Sequence, residues 1–439
     1  MFEIRFAKSI FGYVLVVLLA LTAHVGQAQG TTHDLAFYLE QARQNSPLSR
    51  DIQAQGQAVQ LETERLRALY TKLQGTLTGN YVATPVLAHD NGHTTLRYSA
   101  ESTTHYSGYD MALSNGALYQ GLAQLTQPLF NQPRFEAYAK QAQTTALVQQ
   151  NVAGLSLHDL EKLVGDQYIL CRQDLQQLDY IRETLGILDK QRLLVRKLVE
   201  ASLLKQSDYT LLTVEYQTQQ LALNTFHTAY HRDLLDLNVL CGLGDTTEAL
   251  LPEPNLTLQR TPVTLSRYTE RYRLDSLNLA ATQQVFELRY RPVVSAFVNG
   301  GLNAVSFQDI SSRFGSSVGL SFSVFLFDGH QRQLSRDRTT VLLRSVQYAR
   351  ENFQKVNPVR QQRLLYELRA LEQRQKLARE QVASYRSLLD SYKREVIAGQ
   401  LPVINYVTVL KSFATVTRDL VLLENNRLLL INAYNYWNW

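Results

Sequence analysis

Apolar side chains recur every three or four residues over very long stretches of this chain. Residues 134–201 hold no proline, and Cys171, Leu175, Leu178, Leu185 and Leu188 fall three, four or seven apart. Such a narrow stripe predicts helices packed as a coiled coil. Leu223, Phe226, Tyr230, Leu234, Leu237 and Cys241 carry the same spacing through 208–241. Residues 332–397 and 402–436 repeat it, with Val403, Tyr406, Leu410 and Phe413 in the second. Two further helices are expected at about 34–72 and 264–291. Their lengths fit together: ~100 Å for 134–201 against ~51 and ~58 Å for 208–241 and 34–72. Likewise 332–397 spans ~99 Å, and 402–436 with 264–291 sums to ~94 Å. Each set reads as one long helix beside a two-piece pseudo-helix.

Between the helices the period drops to two. Ala296, Val298, Gly300, Leu302 and Ala304 alternate with Ser295, Phe297, Asn299, Gly301 and Asn303. Val318, Leu320, Phe322, Val324 and Leu326 alternate with Ser317, Gly319, Ser321 and Ser323. Earlier in the chain the signal is weaker. Leu77, Gly79, Tyr81 and Ala83 form one row, then Ala117, Tyr119, Gly121, Ala123 and Leu125, with Gln120 and Gln124 opposite. Segments of about ten residues with this alternation have the length and pattern of tilted barrel strands in a bilayer. The apolar row, with Val298, Leu302, Val318, Leu320 and Phe322, is then expected to face lipid. The polar row, with Gln120, Gln124, Ser295, Asn299, Asn303, Ser317, Ser321 and Ser323, is expected to face a lumen. Polar, glycine-rich loops join each pair at 85–116 and 305–315, and Pro128 and Pro292 stand where strand meets helix.

The pattern occurs twice. Gln127-Pro128-Leu129-Phe130-Asn131 returns in kind as Val324-Phe325-Leu326-Phe327-Asp328. Ala201 to Tyr209 returns as Ala398 to Tyr406, at the same offset of 197 residues. Two landmarks in one register mark an internal duplication. The expected organisation is a first repeat at 29–245, with a β-hairpin at about 74–127 and a helical hairpin at 134–241. A linker at 246–263 leads to a second repeat at 264–439, with its β-hairpin at about 293–327 and its helical hairpin at 332–436. Each chain thus offers four strands. Closed barrels begin near eight strands, and open edges are not viable in lipid, so copies must assemble. Three copies would supply twelve strands.

Composition narrows the setting. Arg5 and Lys8, an apolar run from Ile10 to Leu21, and the small residues around Gly26-Gln27-Ala28 read as an export signal over 1–28. The net charge of +5 becomes +4 without Glu3, Arg5 and Lys8, a mild and dispersed excess that gives no reason to expect nucleic acid. Two cysteines exclude a disulfide-rich scaffold. A hairpin turning near residue 204 brings Cys241 within one turn of Cys171. That allows a disulfide in the oxidising setting an exported chain meets, or burial as two small apolar side chains.

Other candidate chemistry is sparse. His231-Arg232-Asp233 with Asn238 matches the spelling of a kinase catalytic loop, but Leu234, Leu237 and Cys241 continue a helical stripe through it. His89, His93 and His105 lie in the first long loop, where surface exposure competes with metal binding. Tyr98, Tyr106, Tyr109, Tyr119, Phe307 and Phe314 near strand ends form either interfacial girdles or folded-back packing. No nucleophile, base or metal constellation appears, so no catalytic residue, cofactor or metal is expected.

The chain resembles the TolC-like outer-membrane efflux proteins. The resemblance rests on the duplicated helix–hairpin–helix order, Gln-Pro-Leu-Phe-Asn-Gln at 127–132 and Leu-Phe-Asp-Gly at 326–329. The turns at 201–209 and 398–406, and Leu237-Asn238-Val239-Leu240-Cys241-Gly242-Leu243 closing the first half, add to it. It implies a mainly α fold with a membrane β-barrel: a homotrimer with a twelve-strand barrel in the bacterial outer membrane and a helical α-barrel in the periplasm. It also implies passive export, served by a periplasmic adaptor and an inner-membrane pump of RND, ABC or MFS type. The helical-hairpin tips, with Leu203, Leu204, Ser207, Asp208, Gly399, Leu401, Pro402 and Asn405, would meet the adaptor and form the gate. Asn405 replaces the acidic residue that would give the second repeat a charged ring. The alternative from the residues is an exported coiled-coil structural or adhesion protein without a channel.

Overall fold

The computed structural model describes residues 32–98, 105–108, 117–259, 266–305 and 307–439. The expected export signal at 1–28 and Tyr109 lie outside these residues. The described chain runs α1 (Leu35–Asn45), α2 (Pro47–Thr71), β1 (Gln74–Ala83), β2 (Val86–Asp90), β3 (His93–Arg97), β4 (Tyr106–Ser107) and β5 (Ala117–Leu129). It continues with α3 (Gln132–Glu200), α4 (Gln206–Leu240), α5 (Arg267–Glu287), β6 (Val293–Ala304), β7 (Phe314–Ser323), α6 (Gln331–Ile397) and α7 (Val403–Trp437). Single 3-10 turns occupy Leu288–Tyr290 and Ile310–Ser312.

The helix expected at 34–72 is two helices. Ser46 turns to an extended backbone, and Pro47 follows it. A proline biases its predecessor away from helix and is itself well suited to the first helical position. Asp34 starts α1 by accepting the Phe37 N–H at 2.9 Å. The segment expected as a loop at 85–116 contains a small antiparallel sheet in the order β3-β2-β4. Its β2–β3 turn is Asn91-Gly92, both at positive φ (48° and 78°), as a two-residue hairpin turn requires.

The chain divides into two compact units that do not follow the sequence halves. One comprises residues up to Ser49, Ser156–Thr264 and Asn357–Trp439; the other comprises Arg50–Leu155 and Leu265–Val356. The first has two cores, one built from first-repeat helices and the segment after them, the other shared by helices from both repeats. Tyr38, Val164, Tyr168, Cys171, Tyr230, Leu234, Leu237 and Cys241 form one of them. The Tyr168 hydroxyl donates to the Pro252 carbonyl at 2.7 Å, and the Tyr230 hydroxyl donates to the Ala249 carbonyl. These two bonds tie the segment after α4 onto the helices and satisfy phenol groups that burial would otherwise penalise. Cys171 and Cys241 are free and fully buried in this core. Burial pushes both thiols up, Cys241 to about 12, so neither supplies thiolate near neutral pH.

In the second unit, α2, the first part of α3, α5 and the first part of α6 accompany the sheet. Small buried residues, Ala137, Ala146, Ala153 and Ala281, line these helices. Polar links sit beside them: Gln141 Nε2 donates to Thr282 Oγ1 at 3.2 Å, and Thr145 Oγ1 donates to Asn278 Oδ1 at 3.0 Å.

Candidate functional site: the amphipathic sheet and the hairpin tips

The main sheet has the order β1-β5-β6-β7, antiparallel throughout. Its register aligns like with like. Leu125 stands opposite Gly75 and Val298, and Val298 opposite Val318. Ala296 pairs with Leu320, Val294 with Phe322, and Leu302 with Gly121 and Phe314. On the other face Asn80, Gln120 and Asn303 lie in one row and Thr76, Gln124, Asn299 and Ser317 in another, with Thr78, Leu122 and Gly301 between them. Ser295 pairs with Ser321 on that same face, and Ser323, at the strand's end, continues its parity.

Side-chain bonds join the polar face. Asn80 Nδ2 donates to Gln120 Oε1 at 3.1 Å, and Ser317 Oγ donates to Asn299 Oδ1 at 2.7 Å. Gln124 bonds Thr126 at 3.1 Å. The apolar face is bare by contrast. Val318, Leu320 and Phe322 are 79%, 74% and 66% exposed. The outer edges of β1 and β7 have no strand partner among the described residues. A sheet with an exposed apolar face and two unpaired edges is unfavourable in water.

Prolines set the ends. β6 begins at Val293, because Pro292 has no N–H with which to extend the ladder. Its first residue faces Ser323, so β7 stops there, and Val324 and Leu326 fall beyond the strand where alternation had placed them. Pro128 lies inside β5, but past Thr126, the last residue with a β1 partner. No ladder bond is lost on that side.

The helical-hairpin tips repeat one geometry. After α3, the Ala201 N–H donates to the Lys197 carbonyl at 3.0 Å and that of Leu203 to the Leu198 carbonyl at 2.8 Å, with Ser202 at φ +60°. After α6, the Ala398 N–H donates to Arg394 at 3.0 Å and that of Gln400 to Glu395 at 2.9 Å, with Gly399 at φ +70°. This is the left-handed helix stop, with serine in one repeat where glycine serves in the other. The two restarts differ for a simple reason. Lys205, before α4, has an N–H, and Asp208 accepts it at 3.1 Å. Pro402, in the equivalent position before α7, has none, so Asn405 has no such donor to satisfy. The Asp208 carboxylate therefore starts a helix and complements its dipole. Leu204 and Leu401 pack on a core shared by both hairpins, which includes Val195, Leu212, Val396 and Val403. Leu203, Ser207, Gly399, Pro402 and Asn405 are exposed, and Asp208 is half-buried.

The His-Arg-Asp sequence lies within α4, not in a loop. Arg232 pairs with its neighbour Asp233 at 2.8 Å. Asp233 faces the buried Asp174 of α3, an approach that helical spacing alone did not reveal. Burial first, and then the Asp233 carboxylate, push Asp174 up to about 7. The unfolded chain ionises near 3.8 while the folded chain keeps its proton, so native stability falls as pH rises from about 4 to about 7 and is level above that. Asp174→Asn is expected to raise the melting temperature at pH 8 and to change it little at pH 4. An equal change at both values would remove Asp174 as the cause. In the first loop, His89 is engaged by two hydroxyls, Thr94 at 3.0 Å and Ser107 at 2.9 Å.

No family model and no curated protein matches the sequence. Solved structures do match. The chain is similar to the outer membrane protein VceC from Vibrio cholerae, at 14% identity over 92% of this chain and 95% of that one, with a TM-score of 0.67. A membrane protein from Pseudomonas aeruginosa matches at 14% identity over 92% and 90%, with a TM-score of 0.70. The fold is that of the TolC-like outer-membrane channels. The MtrE outer membrane channel of Neisseria gonorrhoeae, in its open state, shares it at 11% identity over 92% and 88%, with a TM-score of 0.67. Helix lengths, hairpin order and sheet order are therefore properties of the TolC-like fold, and few particular side chains are needed to encode it.

Proposed function

We propose that this chain is the outer-membrane channel subunit of a tripartite efflux pump or type I secretion system. It is a passive conduit with no chemistry of its own. One observation carries the reading: four strands align their apolar rows on a single exposed face and leave both edges open. Three copies joined β1 to β7 would pair every edge and close twelve strands, with the Gln120, Asn299 and Ser317 side toward water and the Val298 and Leu320 side toward lipid. The likeness to outer-membrane channels supports the same assembly. The exposed tip residues Leu203, Ser207, Gly399, Pro402 and Asn405 are the proposed surface for a periplasmic adaptor, through which an inner-membrane pump would supply the energy.

The test is oligomeric state and conductance of the purified protein. A detergent-solubilised trimer that gives stepwise conductance in planar bilayers is expected. A water-soluble monomer without conductance would reject the proposal.

A further inference from the structure

Phe130 and Phe327 are 197 residues apart, the repeat offset, and each stands at a strand-to-helix junction. They are 87% and 92% exposed. Phe130 also takes a left-handed backbone (φ +57°), a conformation that a bulky side chain rarely adopts. Exposure and backbone strain are separate penalties in water, yet both repeats present a phenylalanine here.

Around the second junction, rings and guanidinium groups alternate. Arg289 lies 5.2 Å over the Phe286 ring, and Arg332 lies 5.1 Å over that of Tyr290. Tyr290 is 5.9 Å from Phe286 and 6.0 Å from Phe325. The local acids are already engaged. Glu287 takes both Arg332 and Arg336 at 2.6 Å. Asp328 accepts the backbone N–H groups of His330 and Arg332 at 3.0 and 2.8 Å. Arg289 and Arg291 are exposed and carry no ion pair among the described residues.

We propose that this junction is a docking belt for anionic phospholipid, the exposed phenylalanines entering the acyl–glycerol boundary while Arg289 and Arg291 bind headgroup phosphate. Aromatic rings favour that boundary, and cations beside it are drawn to anionic lipid. With the nearby Glu287 and Asp328 engaged, the two exposed arginines complement an anionic headgroup. The inference rests on the barrel reading and adds a lipid class and a position to it.

The test compares the full-length protein with its Arg289→Gln/Arg291→Gln variant, in phosphatidylcholine vesicles with and without phosphatidylglycerol. Both proteins are expected to insert and conduct alike in phosphatidylcholine. The unsubstituted protein should retain phosphatidylglycerol over phosphatidylcholine through purification, seen as bound lipid in native mass spectra. The variant should lose that preference by about fivefold per arginine. An unchanged preference in the variant, or none in the unsubstituted protein, overturns the belt while conductance still supports the channel. A Phe130→Ser/Phe327→Ser variant should stay assembled in lipid-free detergent but insert less. If it dissociates there instead, the rings are a subunit interface and the belt is wrong. An unsubstituted protein that neither inserts nor conducts removes the barrel reading and the belt together.

Discussion

Lysine at Val298 or Leu320 blocks assembly into the membrane, and lysine at Asn299 or Ser321 does not. The two pairs differ by one residue along their strands, so backbone, strand and depth are nearly matched; only the face changes. On the lipid side a lysine near the midplane costs about 2–4 kcal/mol. The proposed trimer would carry three copies, so the sum is comparable with the whole stability of an ordinary domain, roughly 5–15 kcal/mol. On the other face a lysine replacing Asn299 lies beside Gln124 and Ser317, and one replacing Ser321 lies beside Ser295, where water can solvate either. The measurement is the fraction of protein recovered as detergent-extracted oligomer from membranes. Equal recovery of all four variants would show that the two faces are wrongly assigned.

Alanine at Gly301 separates the two hairpins. An added Cβ there would lie 2.0 Å from the Gly121 carbonyl oxygen and 2.9 Å from the Leu122 Cα. Both are backbone atoms of the partner strand, and neither can swing away as a side-chain tip would. β5–β6 is the pairing that joins the first repeat's hairpin to the second's. Without it two isolated hairpins remain, and a two-stranded hairpin is marginal at best. The loss should exceed the roughly 1–3 kcal/mol usual for overpacking, since relief requires breaking the ladder. Gly121→Ala is the control: its added methyl meets nothing within 4 Å, although Gly121 lies in the same strand pair. Folded oligomer yield and thermal stability of the two variants decide the matter. If Gly301→Ala matches Gly121→Ala, the β5–β6 register is wrong.

Some features of the fold carry a local signal. Asn91-Gly92 between two short runs is a hairpin signal, although the polar, glycine-rich composition of 85–116 predicts a loop. Ser46-Pro47 marks the break between α1 and α2 as plainly. Others had no local signal. The left-handed backbone of Phe130 does not show in its residue type. The approach of Asp174 to Asp233 depends on how α3 rotates against α4. By residue type the exchange of Asp208 for Asn405 is a lost charge; the structure relates it to whether Lys205 or Pro402 brings an N–H to the helix start.

The sequence by itself determined the elements and their faces. Periods of 3.6 and 2 follow from backbone geometry, and a long run of either leaves little choice of helix or strand, or of which side is apolar. Tertiary structure decided which elements meet. The pairing of β5 with β6 joins residues far apart in the chain, and the rows of Leu125, Val298 and Val318 align only in that register. Such pairing is chosen by what the whole fold can bury and hydrogen-bond at once, and no local window of sequence holds that sum.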